Sequence, residues 1–183
     1  MNGFEYLLTL FGLLLGLALA EGLGGLSHAM HSRHRKAIGW PTALLGVFVS
    51  CDIVSFWING WLLRDVLAVS WPVMFGGFVV TAVAYVSASL IFPKDAEDWA
   101  DIDSHFERNR TLVIGGLLAC KLALVVAIFA LVDVGDPFTF RRLVIIWSVY
   151  PIGLIAIFAS RRPLVLAALA YMIAIYPLSL IWR

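Results

Sequence analysis

The chain has 183 residues, 62% of them hydrophobic, and a mean hydropathy of +0.95. A soluble domain of this length cannot hide so much apolar surface, so the composition excludes a water-soluble globular protein and implies an integral membrane one. The formal net charge of +1 offers no basic excess for a polyanion, which excludes nucleic acid as a partner and leaves the lipid bilayer as the first one.

A helix needs about 20 apolar residues to cross about 30 Å of hydrocarbon. Six stretches qualify, at about 3–25, 41–63, 71–92, 111–132, 142–160 and 163–182. Each has helical length, not the ten-residue alternation of a membrane barrel, and the connections leave no room for a soluble catalytic domain. The expected fold is a single all-α domain, a six-transmembrane-helix bundle over residues 1–183.

In the first stretch, Ala18-Leu19-Ala20 before Glu21 resembles a signal-peptide cleavage site. No Lys or Arg precedes the apolar run and Glu5 stands where a positive region belongs, so an uncleaved span is expected. Gly12, Gly16, Ala20 and Gly24 put a small residue at every fourth position, a ridge that lets another helix approach closely, either in the same chain or in a second copy. A homo-oligomer is the expectation. Glu21 should lie about 6 Å inside the inner interface. His28 follows it in line and His31 one turn later, at the mouth of the bundle in "SHAMHSRHRK". The two histidines at i, i+3 could ligate a transition metal, but only the distant His105 suggests a further ligand, so no metal or other cofactor is expected. "HSRHRK" also reads as a basic turn held at anionic headgroups.

The second stretch carries Asp52 at its twelfth position of 23, and the fourth carries Lys121 at its eleventh of 22, running in the same direction. Their levels differ by about 1.5 Å, one residue of helical rise. An unpaired charge at the bilayer centre costs at least about 2.5–3.5 kcal/mol on insertion scales, so an ion pair across the bundle is expected if these helices touch. Two readings follow: a helix–helix clamp, or part of a polar pathway. Ser55 and Asn59 extend a polar stripe outward from Asp52; Thr81, Tyr85 and Ser89 make a second stripe on the third stretch, and both could face a wet interior. Singly, such groups are ordinary interhelical contacts worth about 0.6 kcal/mol each. Trp57 and Trp61 fall on the face opposite Asn59 and read as lipid-facing or packing groups.

The connector "KDAEDWADIDSHFERNR" reads as a solvated, partly helical segment; it lacks the glycine and ligand spacing of an EF-hand. Tyr150-Pro151 and Tyr176-Pro177 should kink the last two spans. Trp40, Trp71, Trp147 and Trp182 read as interfacial anchors. "TALLGVFVSCD" and "TLVIGGLLACK" echo one another too faintly to imply an inverted repeat. Cys51 and Cys120 both fall in mid-helix and make no disulfide framework. With the amino terminus outside, the inner side holds eight of the 13 basic residues and the outer side four, so both termini are expected outside the cytoplasm.

No nucleophile elbow, His-Glu-x-x-His or phosphate loop is present, and no enzymatic activity is expected. "FEYLLTLFGLLLGLALAEGLGGL", a basic turn, "WP" and a second helix ending "WLLRD" resemble a group of small, uncharacterised bacterial multi-pass inner-membrane proteins, over about the first 65 residues. The resemblance implies a bacterial inner-membrane location and supplies no activity, substrate or site residue. The expected function is a small ion- or proton-conducting membrane protein, moving a small cation or proton past Asp52, Lys121, Glu21, Ser55, Asn59, Thr81, Tyr85, Ser89, His28 and His31. The alternative is a non-transporting interaction protein, an accessory subunit or sensor, with Asp52 and Lys121 as a clamp and the acidic connector as its contact surface. A redox or haem-type role for His28 and His31 is a third reading.

Overall fold

The computed structural model describes residues 3–32, 39–93 and 102–182, and all regular structure among them is helical. Helices α1 (Gly3–Ser32), α2 (Trp40–Leu62), α3 (Trp71–Ser89) and α4 (Ile102–Leu131) make four crossings. The fifth combines α5 (Phe140–Arg142), a π-helical turn (Leu143–Trp147) and α6 (Val149–Phe158), and the sixth is α7 (Arg162–Ile181). Six segments are therefore long and apolar enough to cross a membrane, as the hydropathy pattern predicts.

Proline in the first turn opens α2, α3 and α7, where its missing N–H costs no helical bond. Two helices outrun their apolar stretches: α1 continues to Ser32 and α4 begins at Ile102. Hydropathy measures the thickness of hydrocarbon, whereas a helix continues into polar surroundings as long as its backbone bonds are made. In the fifth crossing, Ser148 N–H bonds to the Leu143 carbonyl at 2.9 Å, closing the wide turn just before the point where Pro151 removes a donor. Helix α7 continues through Pro177 to Ile181.

Helix α1 packs on α2 and α3, α3 on α4, and α2 on α4; α6 and α7 pack on each other, with α6 against α4 and α7 against α2. The bundle is thus two four-helix rings, α1-α2-α4-α3 and α2-α4-α6-α7, which share α2 and α4 as a common wall. Enclosed by α1, α4 and α7, α2 buries Leu45, Phe48, Val49, Asp52, Ile53 and Phe56. An all-round apolar helix belongs in such a position.

The small-residue ridge on α1 is divided. A Cβ on Gly12 would lie 2.8 Å from the Trp57 ring, so Gly12 receives that indole and Trp57 packs within the chain, while at Gly16 and Gly24 nothing lies within 4 Å. Where α1 meets α3, a Cβ on Gly77 would stand 2.2 Å from Phe11 Cζ, so a larger residue there would force the ring to shift.

The connector between α3 and α4 is more fixed than a solvated loop in its described part. Asp103 forms a two-point ion pair with Arg162 at 2.9 and 3.2 Å, Arg110 donates to the Ala159 carbonyl at 3.0 Å, and buried His105 donates to the Leu90 carbonyl at 3.1 Å. Residues 94–101, which carry most of its acids, lie outside the described residues, as do the basic turn residues 33–38.

Candidate functional site

Alternate crossings of an antiparallel bundle run the same way, so α2, α4 and α7 are mutually parallel, and each brings a polar side chain to one level. Asp52, on the enclosed face of α2, is 0% exposed. Lys121 Nζ of α4 lies 2.5 Å from Asp52 Oδ1. Tyr176 of α7 donates its hydroxyl to the same oxygen at 2.6 Å. Lys121 Nζ also sits 3.5 Å from Tyr176 Oη and 5.3 Å from the centroid of its ring. The Asp52–Lys121 pair expected from matched depth is therefore present, with a phenol closing a triangle.

The triangle is lopsided. Oδ1 accepts from both an ammonium and a phenol, whereas Asp52 Oδ2 is buried with no hydrogen-bond partner among the described residues. A buried acceptor left unmatched costs about 1–3 kcal/mol. Val49, Ile53, Leu117 and Met172 belong to one buried apolar core with which Tyr176 packs. Attraction between Asp52 and Lys121 is strong in such surroundings, and their opposite charges cancel.

Of the remaining expected site residues, Ser55 stands within hydrogen-bonding reach of the Tyr176 hydroxyl. Ser55 donates to the backbone carbonyl of Asp52 at 2.7 Å, not to its carboxylate. Thr81 donates to the carbonyls of Gly77 and Phe78 at 2.9 and 3.1 Å, and Ser89 to that of Val86 at 2.9 Å. A helix offers its own carbonyls one turn away, and these hydroxyls take them. Asn59 and Tyr85 are part-buried. Between α1, α2, α3 and α4 there is an apolar cavity of 360 Å³, walled by residues such as Leu7, Leu15, Phe56, Val80, Leu124 and Ala127, and Thr81 is the one stripe residue on it.

Gly22 packs beside Ser50 of α2, which places Glu21, part-buried, within about a helical turn of the Asp52 level. His28 and His31 are exposed near the end of α1, where His31 Nδ1 donates to the Ser27 carbonyl at 2.9 Å. His105, the third ligand considered for a metal, is already engaged with Leu90. Among the described residues, no group of three or more His, Cys, Asp or Glu is placed to hold a metal ion. Cys51 and Cys120 are both free thiols, and Cys120 donates to the Val80 carbonyl at 3.3 Å.

Sequence reasoning missed Tyr176, which it treated only as half of a Tyr-Pro kink. Its hydroxyl sits at the level of the acid on a parallel crossing, but that signal acquires meaning only once α7 is known to pack on α2. No family model matches the chain, and no curated protein or solved structure matches it.

Proposed function

We propose that this is a small ion- or proton-translocating membrane protein in which Asp52 and Lys121 form the station at mid-membrane. The observation that carries the reading is a fully buried carboxylate at a junction of three parallel crossings, with one oxygen bonded by both Lys121 and Tyr176 and the other unmatched among the described residues. Intramembrane charges are costly, and the default role of such groups is in an ion or proton path. In this reading the chain sits in a bacterial inner membrane with both termini outside; the resemblance of its first 65 residues and the balance of its basic side chains support that placement. A homo-oligomer is supported by the open, outward-facing Gly16 and Gly24. Flux into liposomes holding wild type, Asp52→Asn or Lys121→Met is the test. Wild type should carry a flux that both substitutions reduce, and negligible flux in all three would sink the reading.

A second reading, a non-transporting interaction protein clamped by the same pair, is favoured by one observation: the hydroxyls of Thr81 and Ser89 are spent on their own helices. The charge-swapped Asp52→Lys/Lys121→Asp protein would then fold and bind its partner as wild type does. Gentle extraction that recovers no partner would count against it.

A further inference from the structure

We propose that the species handled at the central pair is a proton, taken up at Asp52 Oδ2 and released from Lys121 Nζ. This rests on the translocating reading above and narrows its substrate.

The two oxygens of Asp52 offer different chemistry. Oδ1 is filled by an ammonium at 2.5 Å and a phenol at 2.6 Å, so a metal cation approaching it would have to displace Lys121 or share hydrocarbon with a like charge. Hard metal cations also need several oxygens arranged around them, typically about six or more. Oδ2 is buried and has no hydrogen-bond partner among the described residues. A proton is the one cation that satisfies a single oxygen without any further ligand, by forming an O–H bond. The groups close enough to feel the charge of Asp52 are Lys121, Cys120, Tyr176, Tyr150 and its neighbour Cys51, while α1 carries Glu21 near the same level. Among these groups Lys121 is the one cation, and it loses its counter-charge when Asp52 takes up a proton, which makes the ammonium the group that gives up a proton next.

The cycle balances in three steps. A proton from water bonds to Oδ2, which turns Asp52 into a neutral acid and leaves Lys121 without a counter-charge. The ammonium then loses one proton from Nζ to a water molecule and becomes a neutral amine; its side chain, 13% exposed against 0% for Asp52, is the more accessible of the two. Finally the carboxyl turns about its Cβ–Cγ bond and passes its proton to the Lys121 nitrogen, restoring the carboxylate–ammonium pair. One proton enters, one leaves, and no metal ion has a place in the sequence. The turn breaks the Tyr176 hydroxyl bond to Oδ1, and Oδ2 then takes the place of Oδ1 between the phenol and the ammonium.

The test combines flux with infrared spectroscopy on the full chain in liposomes. With a pH dye inside the vesicles, wild type should pass protons at the same rate in sodium, potassium or choline salts, and Asp52→Asn should fall to the rate of protein-free vesicles. A current that tracks the sodium or potassium gradient overturns the proposal and leaves the translocating reading standing; absence of any flux removes that reading. The infrared arm decides the uptake site independently. On acidification, wild type should gain a carboxylic C=O band that Asp52→Asn lacks. If that variant fails to fold, Tyr176→Phe should shift the same band, because it removes the donor to Oδ1. A band unaffected by either substitution, or no such band, overturns uptake at Oδ2.

Discussion

Asp52 and Lys121 would each be a poor tenant of hydrocarbon alone, and each is tolerable because the other is 2.5 Å away. Removing one partner should therefore cost more than removing both. We expect Lys121→Met to destabilise the protein by about 3–5 kcal/mol, since it strands a buried carboxylate, while Asp52→Leu/Lys121→Met recovers most of that loss. Unfolding in mixed micelles by detergent titration measures both. Tyr176→Phe deletes one hydrogen bond to a charged acceptor and should cost about 1.5–3 kcal/mol in the same assay. An unchanged unfolding midpoint would mean that the phenol bond at 2.6 Å carries no weight. The ion pair was legible in the sequence because depth along a span is simple arithmetic from helical rise. Tyr176 was not, because a phenol at mid-span is unremarkable until the neighbour of its helix is known. The orphaned Oδ2 was beyond any sequence reading, since it depends on which way a carboxyl turns.

Among the helices, the contact of α1 with α3 rests on two adjacent glycines in opposite situations. A Cβ on Gly77 would meet Phe11 at 2.2 Å, and one on Gly76 would meet nothing within 4 Å. Gly77→Ala should thus cost about 1–3 kcal/mol through overpacking. Gly76→Ala should be neutral or stabilise by up to about 1 kcal/mol, since alanine is the better helix former. Thermal stability in detergent, followed by size-exclusion, distinguishes the two. The six crossings were legible from hydropathy, and their polar extensions were not: α1 reaches Ser32 and α4 starts at Ile102 through residues that carry no apolar signal. The π-helical turn before Pro151 shows a further limit, because the sequence marks where a donor is missing but not how the chain absorbs it.

At the scale of the molecule, one ring holds a cavity of 360 Å³ and the other, with α6 and α7, holds the phenol of the triangle. The cavity offers water few partners, because Thr81 is already bonded to its own helix. A pocket lined so largely by apolar side chains favours apolar guests over water. We expect xenon to enter it under pressure, detectable by chemical shift, and Ala127→Leu to reduce that uptake while raising stability by about 0.5–2 kcal/mol. Equal xenon uptake by both proteins would show that the space is not the one bounded by Ala127. The shared wall has a mechanical meaning as well. Asp52 and Lys121 both ride on that wall, whereas Tyr176 rides on α7. If α6 and α7 swing against α2 and α4, the phenol is pulled from Oδ1 while the ion pair travels as one piece. The hydroxyl is therefore the breakable link in the triangle, and its making and breaking would report the relative position of the two halves of the bundle.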